Sequence, residues 1–147
     1  MPSHPEGLAI ARARIAEEKE KRTGFLDLGG LGLTELTELP EELFELEHLW
    51  GLNLGSAWQD EQGEWHEAAS DLAPNEQAHQ LTDLQRFPGL RLLSFYRTPI
   101  WDLGPLARLS TLQSLNCSHT YASDLGPLAG LSALQSLNCS HTSLNSV

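Results

Sequence analysis

The chain has 147 residues, enough for one domain of ordinary size, and its 40% hydrophobic and 20% charged content is typical of a folded protein. Its net charge of −11 comes from residues 31–71, which carry eleven acidic residues and no lysine or arginine. Because phosphate-binding surfaces need clustered basic residues, this charge argues against nucleic acid and anionic membranes as partners. The acidic segment is either a solvated face or a docking surface for a basic partner.

Composition also bears on where the protein resides. The first residues contain no apolar run typical of a signal peptide, and no later stretch approaches the roughly 20 apolar residues that cross a bilayer. Two cysteines, Cys117 and Cys139, are too few for a disulfide framework and are compatible with a reducing compartment. We therefore expect a cytoplasmic protein.

Residues 6–22 predict a helix, because alanine, glutamate, lysine and arginine dominate them. Leu8, Ala11, Ile15 and Ala16 place a narrow apolar stripe on one side at helical spacing. We interpret residues 1–22 as a cap helix that covers the open end of the units that follow. A helix that binds a membrane or a partner is the alternative.

A repeat of 22 residues dominates the second half of the chain. Residues 112–120 (LQSLNCSHT) recur unchanged as residues 134–142, and residues 90–98 share their spacing of apolar side chains. Residues 102–107 (DLGPLA) return as residues 124–129, and two looser units begin near Phe25 and Leu49. Registered copies at a fixed step indicate stacked units that bury their apolar faces against each other.

Each unit predicts one short strand, since its core residues lie two positions apart and therefore point to the same side. Stacking the units generates two parallel ladders of buried side chains. The first ladder is Leu26, Leu52, Leu93, Leu115 and Leu137, and the second is Leu28, Leu54, Phe95, Cys117 and Cys139.

The pattern Leu-x-x-Leu-x-Leu-x-x-(Asn/Thr)-x-Leu resembles the leucine-rich repeat over residues 23–147. The resemblance implies an α/β solenoid with a parallel sheet on its concave side and an amino-terminal helical cap. Short helices or 3₁₀ turns, begun by Pro105 and Pro127, are expected on the convex side. We expect about five units, the last of them incomplete.

Three threonines, Thr98, Thr120 and Thr142, stand where this family often has asparagine. We expect their hydroxyl groups to form hydrogen bonds between successive turns of the solenoid.

An insertion interrupts the repeats near residues 56–80, because the step from Leu52 to Leu93 is longer than one unit. Gln62 and Gly63 favour a turn between two short strands, a hairpin that would bring Trp58 and Trp65 together. The two rings either pack on the side of the solenoid or contact a partner, since insertions in solenoids often lie on the binding face.

The side chains between the core positions predict the binding surface. They point away from the core and form a polar row across the concave face, with basic and histidine side chains along one rim. Such a row suits a protein or peptide and offers no enclosed pocket. The candidate partner-binding residues are Asp27, Asn53, Ser94, Tyr96, Arg97, Asn116, Ser118, His119, Asn138, Ser140 and His141, with Trp58 and Trp65 from the insertion.

Catalysis and metal binding are the competing hypotheses. Cys117 with His119, and Cys139 with His141, have residue types that can hold zinc. However, both cysteines fall at inward strand positions, and a catalytic site is needed only once rather than in every repeat. No phosphate-binding loop or hydrolase motif is present in the sequence. We therefore expect no enzymatic activity, no cofactor and no metal.

The order of these segments is similar to the amino-terminal repeats of bacterial leucine-rich-repeat proteins, including Roco-type GTPases and multidomain signalling or defence proteins. The later units also resemble internalin-like repeats. The resemblance implies a sensor or docking region of a larger protein, and a stand-alone adaptor or inhibitor is the alternative. Because the last unit stops at Val147 without a cap, we expect either a longer protein or an end-to-end homodimer.

Overall fold

The computed structural model describes residues 5–33, 41–71, 75, 84, 86–100, 102–122 and 124–139. One α-helix, α1 (Pro5–Lys21), precedes seven short strands. The strands are β1 (Phe25–Asp27), β2 (Gly51–Asn53), β3 (Ala57–Gln59), β4 (Trp65–Glu67), β5 (Leu92–Ser94), β6 (Ser114–Asn116) and β7 (Ser136–Asn138). None of the described helices has both the length and the apolar character needed to span a bilayer.

Five of the strands form one parallel sheet in the order β1-β2-β5-β6-β7, while β3 and β4 form a separate two-stranded hairpin. The register places the central residue of each sheet strand opposite its counterpart in the next repeat, as predicted. The paired residues are Leu26 with Leu52, Leu52 with Leu93, Leu93 with Leu115, and Leu115 with Leu137. This stack of parallel strands confirms the leucine-rich-repeat solenoid.

Burial is complete in the middle of the stack and weaker at β7. Leu52 and Leu115 are at most 1% exposed, whereas Leu137, at the same repeat position, is 40% exposed. The second ladder behaves in the same way, because Cys117 is fully buried while Cys139 is only partly buried. Each strand therefore depends on neighbours on both sides for its burial.

Short 3₁₀ helices return the chain between strands at Glu41–Glu45, Gly104–Arg108 and Gly126–Leu128. In the two later helices proline lies in the first turn, as expected, where a missing N–H costs nothing. Asp102 and Asp124 precede them, and each carboxylate accepts a hydrogen bond from a glycine N–H two residues on, at 2.8 Å. The same local bonds thus recur from one repeat to the next.

Helix α1 packs its buried residues Ala11 and Ile15 against the first repeat. Gly7 allows this close approach, since a Cβ there would lie 1.7 Å from the carbonyl oxygen of Leu31. Ala16, assigned to the apolar stripe from its spacing, is exposed. Glu18 is buried on this face instead, because its carboxylate contacts polar groups of the first two repeats within hydrogen-bond distance.

The threonine prediction was wrong for Thr98 and Thr120. Their hydroxyl groups donate to the carbonyl oxygens of Phe95 and Cys117, three residues back in the same turn, at 2.9 and 2.6 Å. Thr142 lies outside the described residues. A threonine side chain is too short to reach the neighbouring turn when its own turn offers a carbonyl oxygen nearby.

Asn75 makes the bonds between turns that were expected of the threonines. Its Nδ2 donates to the carbonyl oxygens of Leu28 and Leu54, both at 2.8 Å, and its Oδ1 accepts the N–H of Leu33 at 2.8 Å. Asn75 is 1% exposed, so the chain has already returned to the solenoid at this residue, within the segment assigned to the insertion.

Candidate functional site

The last residue of each of the strands β1, β2, β5 and β6 closes a turn at the carboxyl end of the sheet. Its side-chain oxygen accepts the N–H of the residue two positions on, a local bond that aspartate, asparagine and serine form readily. These oxygens belong to Asp27, Asn53, Ser94 and Asn116, with N···O distances of 3.0, 3.0, 3.4 and 3.1 Å. Four of the predicted contact residues therefore have a structural role in the turns.

Burial separates these residues from the open surface. Asn53 is fully buried, Ser94 is 1% exposed and Asn116 is 4% exposed. Ser118 is also buried, and its hydroxyl group donates to Oδ1 of Asn116 at 2.6 Å. The predicted polar row thus lies beneath the concave surface and is not open to solvent at these residues.

The insertion explains part of this burial. Hairpin β3–β4 lies over the concave face, and the hydroxyl group of Ser94 donates to the carbonyl oxygen of Ala57 in β3 at 2.8 Å. Asp27 is only half-buried, but its Oδ1 accepts Nδ2 of Asn53 at 2.9 Å and its Oδ2 accepts the N–H of Ala69 at 2.9 Å. Both carboxylate oxygens of Asp27 are therefore engaged within the protein.

The hairpin turns where the sequence predicted, and Gly63 has the positive φ of 82° that this turn requires. However, Trp58 pairs with His66, while Trp65 pairs with Gln59. Because successive residues of a strand point to opposite faces, the two tryptophans lie on opposite faces of the hairpin and do not come together.

Trp58 is half-buried, and its neighbours fix the position of its ring. Its ring lies 4.3 Å from the ring of Phe25 and is stacked on His66, with an interplanar angle of 18° and centroids 4.3 Å apart. His66 Nε2 lies 2.8 Å from Oδ2 of Asp60. This hydrogen bond is the main reason that the pKa of Asp60 is below its ordinary value.

On the opposite face of the hairpin, Trp65 begins an aromatic row that we define as Trp65, Tyr96 and His119. Trp65 contacts the edge of Tyr96, with ring centroids 5.1 Å apart, and Tyr96 contacts His119 in the same manner at 5.2 Å. Trp65 is 49% exposed, and the guanidinium carbon of Arg97 lies 5.4 Å from the centre of the Tyr96 ring. Four of the predicted residues therefore form one surface cluster, in which Trp65 and Arg97 are exposed and Tyr96 and His119 are half-buried.

Arg97 and His119 occupy the same position in successive repeats, and both have left-handed backbones, with φ of 60° and 57°. The corresponding residue of the first repeat is Gly30, whose φ is 68°. Glycine adopts this conformation freely, whereas other L-residues lose about 1–2 kcal/mol there. The turn requires this left-handed conformation. In these two repeats the position is nevertheless occupied by a basic or titratable side chain and not by glycine.

A groove of about 960 Å³ opens beside the aromatic row, and we call it the rim groove. It is open to solvent, with Glu67 and Asp71 supplying negative charge and Arg97 supplying positive charge. Its lining residues are Gly30, Ser56, Ala57, Trp65, His66, Glu67, Ala68, Ala69, Ser70, Asp71, Tyr96 and Arg97.

The remaining candidates are divided between β7 and the segment after it. Asn138 is half-buried in the last strand, and Ser140 and His141 lie outside the described residues. Sequence alternation alone gave all outward positions equal weight, whereas the structure groups Trp65, Tyr96, Arg97 and His119.

Cys117 has none of the properties of a reactive thiol. Burial, followed by the proximity of Cys139, raises the pKa of Cys117 to about 12, so its sulfur is protonated at neutral pH. Within the described ranges, no group of three or more histidine, cysteine, aspartate or glutamate side chains is arranged to hold a metal ion.

Two residues of α1 that sequence analysis left out connect distant parts of this region. Arg14 donates to the carbonyl oxygen of Asp27 and to the hydroxyl group of Ser70, both at 2.8 Å. Glu18 accepts hydrogen bonds from the hydroxyl group of Thr23 at 2.6 Å and from the N–H of Gly24 at 2.7 Å, and it contacts His48. Glu18 could have been found from the sequence, because it is a charged residue beside Ile15 on the apolar stripe of the helix.

No protein-family model matches the chain, and no curated protein matches it. Among solved structures, an internalin from Listeria monocytogenes is similar with 24% sequence identity and a TM-score of 0.59 over 96% of this chain. Internalin C2 from the same organism is similar with 22% identity and a TM-score of 0.58 over 95% of this chain. A leucine-rich-repeat protein of Leptospira interrogans has 18% identity and a TM-score of 0.54 over 86% of it.

At these identities the similarity establishes the fold. The chain spans only 44%, 66% and 34% of the respective lengths of these three proteins. Two of them are internalins by name and the third is a leucine-rich-repeat protein by name, which agrees with the predicted leucine-rich-repeat fold.

Proposed function

We propose that this chain is a protein-recognition module that binds a protein or peptide segment along the rim groove. The observation that carries the proposal is the aromatic row, in which the 49% exposed ring of Trp65 rests against Tyr96 at the edge of the groove. Tryptophan, tyrosine and arginine are the residues that most often dominate binding energy at protein interfaces. Here all three types meet on one open surface.

The shape and lining of the rim groove favour a protein or peptide over a small molecule. Small-molecule sites enclose most of the ligand surface, whereas this groove is open along its length. The groove combines an aromatic edge with carboxylates from Glu67 and Asp71 and a guanidinium group from Arg97. An apolar centre bordered by charged groups of both signs is typical of a protein interface.

We further propose that the module serves as the sensor region of a larger cytoplasmic signalling or defence protein of bacterial origin. The similar solved proteins are longer than this chain, which supports the part of this proposal that concerns a larger protein. A stand-alone adaptor or inhibitor that acts through the same groove is the second candidate, and neither one requires catalysis. An end-to-end contact between two copies would cover the exposed Leu137 of the edge strand β7.

Selection from a random peptide library against the purified protein tests the binding proposal. Tyr96→Ala removes the ring that joins Trp65 to His119, so we expect the selected peptides to bind this variant at least about tenfold more weakly. Tyr121→Ala is the matched control, because Tyr121 is 65% exposed and lies outside the residues that line the groove.

Peptide affinities are measured by isothermal titration calorimetry, and thermal unfolding establishes that both variants are folded. If the peptides bound wild type and Tyr96→Ala equally well, the rim groove would be ruled out as their binding site. Equal loss in Tyr96→Ala and Tyr121→Ala would also contradict the proposal, because it would show nonspecific dependence on exposed tyrosine.

A further inference from the structure

A second, smaller groove lies on the other side of the hairpin, and we call it the hairpin groove. Its volume is about 270 Å³, below the usual range of about 300–1,000 Å³ for small-molecule pockets, so it has room for one long side chain. Its lining residues are Trp50, Trp58, Asp60, Glu61, Gln62 and Leu92.

The apolar part of the hairpin groove is rigidly held. Phe25 contacts both tryptophans, with ring centroids 5.7 Å from Trp50 and 4.3 Å from Trp58, and thereby fixes their relative position. Leu92 is 3% exposed and belongs to the first position of β5. These three lining side chains form a continuous apolar surface along which a chain of methylene groups can pack.

The polar part of the groove comes from the hairpin turn and is acidic. Asp60 is already engaged, because its Oδ1 accepts the N–H groups of Gln62 and Glu64 at 2.9 and 3.0 Å and its Oδ2 contacts His66. Glu61 is exposed at the edge of the groove. A fixed carboxylate and an adjacent exposed one together create a negative potential at the groove mouth.

The charge balance around the groove also favours a cation. Its lining residues include two carboxylates, Asp60 and Glu61, and no lysine or arginine. Arg91 lies beside the groove, with its guanidinium carbon 5.6 Å from the centre of the Trp50 ring. Arg91 is outside the lining residues, and its position shows that a guanidinium group packs well against this tryptophan.

From these observations we propose that the hairpin groove binds one lysine or arginine side chain of a protein partner. The methylene groups pack on Trp50, Trp58 and Leu92, and the cationic end is placed at the carboxylate of Glu61. The inference rests on the proposed function, because it specifies the chemistry that the partner presents on the far side of the hairpin. A partner held in the rim groove would reach over the hairpin with this side chain.

Titration with blocked amino acids tests the groove without a known partner. We would add N-acetyl-arginine methylamide and N-acetyl-lysine methylamide to the ¹⁵N-labelled protein and follow the indole N–H signals by NMR. We expect the signals of Trp50 and Trp58 to shift, while that of Trp65 on the opposite hairpin face stays unchanged. The norleucine analogue, which keeps the apolar stem and lacks the charge, should bind more weakly.

Glu61→Gln and Glu64→Gln are matched variants for the same titration. Both remove one exposed carboxylate from the same turn, but only Glu61 lines the groove. We expect about two- to fivefold weaker binding of the arginine analogue to Glu61→Gln, as for a single exposed ion pair, and a smaller change for Glu64→Gln.

Selective shifts at Trp50 and Trp58 that depend on Glu61 support the proposal, whether or not Tyr96→Ala affects peptide binding. Equal shifts by the norleucine analogue, or unchanged affinity in Glu61→Gln, would overturn it. Either negative result leaves the peptide test at Tyr96 valid, so failure of this inference is distinguishable from failure of the proposed function.

Discussion

The amino-terminal part of the molecule and its later repeats are held together in different ways. In the later repeats most side-chain hydrogen bonds join residues two or three positions apart, as between Ser118 and Asn116 or Thr120 and Cys117. The amino-terminal part has local bonds as well, but many of its side-chain bonds span long stretches of sequence. Arg14 binds Ser70, 56 residues away, and Asn75 binds Leu28, 47 residues away.

This difference follows from the insertion. Where the 22-residue step is kept, each unit repeats the same turn and the same ladder contacts, so stability accumulates from many equivalent local bonds. Where the step is broken, adjacent strands are connected by a long excursion, and single polar side chains must join segments that are distant in sequence. Individual substitutions should therefore have larger effects in the amino-terminal part than at matched positions in the later repeats.

Asn75→Ala should show the difference between the two regions most clearly. The variant leaves the carbonyl oxygens of Leu28 and Leu54 and the N–H of Leu33 without their buried partner, so we expect a loss of about 3 kcal/mol or more in the free energy of unfolding. Chemical denaturation followed by circular dichroism measures the loss.

Asn116→Ala is the matched control in the later repeats. Asn116 is also buried, but its Oδ1 bonds only within its own turn and its Nδ2 has no partner among the described residues. We expect a loss of about 1 kcal/mol. Equal losses in the two variants would contradict the proposed difference between the two regions.

Glu18→Gln should have the next largest effect, about 2 kcal/mol at neutral pH, because it weakens charge-assisted bonds that join α1 to the first two repeats. Burial tends to raise the pKa of Glu18, but hydrogen bonds from Thr23 and Gly24 and the contact with His48 together lower it below its ordinary value of 4.5. Ionised Glu18 can only accept, so Nε2 of His48 carries the proton in this pair.

The sign of the pH dependence follows from that lowered pKa. The stabilisation by Glu18 is fully present above the pKa of the unfolded state and is lost as the pH falls through the lower pKa of the folded state. The difference between wild type and Glu18→Gln should therefore shrink as the pH falls below about pH 4.5. Glu17→Gln, which removes only an exposed pair with Lys21, should leave the free energy of unfolding nearly unchanged.

Arg97→Gly should have a small effect on stability, in the opposite direction. Glycine relieves the left-handed backbone at φ 60° but adds freedom to the unfolded chain, so we expect a net gain of up to about 1 kcal/mol. Loss of the guanidinium group beside Tyr96 should at the same time weaken peptides bound in the rim groove.

Arg91→Gly is the control for Arg97→Gly, because Arg91 is exposed and has no positive φ. Without strain to relieve, this substitution should lower stability by about 0.5–1 kcal/mol. If thermal unfolding showed the same loss for both variants, the turn at Arg97 would not be strained, and the side chain would need no functional reason to be retained there.

Sequence patterns predicted the features that repeat. The ladder of Leu26, Leu52, Leu93, Leu115 and Leu137 followed from alternation within a strand and from the fixed step between units, and the structure confirms it. The turn at Gly63 also followed from local sequence. Each of these features depends on residues close in sequence or related by the repeat.

The binding surface was harder to predict, because alternation gives the direction of a side chain and not what covers it. Asn53 and Ser94 point outward from the strands as expected, yet both are buried. Trp58 and Trp65 lie in one hairpin as expected, yet their register places them on opposite faces. Register and coverage depend on where the insertion folds back, which no local pattern specifies.

By itself the sequence determined the solenoid, its register and the acidic character of residues 31–71, because the spacing of apolar and charged residues is written directly along the chain. Only the tertiary structure decided that the insertion lies over the concave face, with one groove on each side of it. The physical reason is that this placement rests on contacts between residues far apart in sequence, such as Asn75 with Leu28 and Trp58 with Phe25.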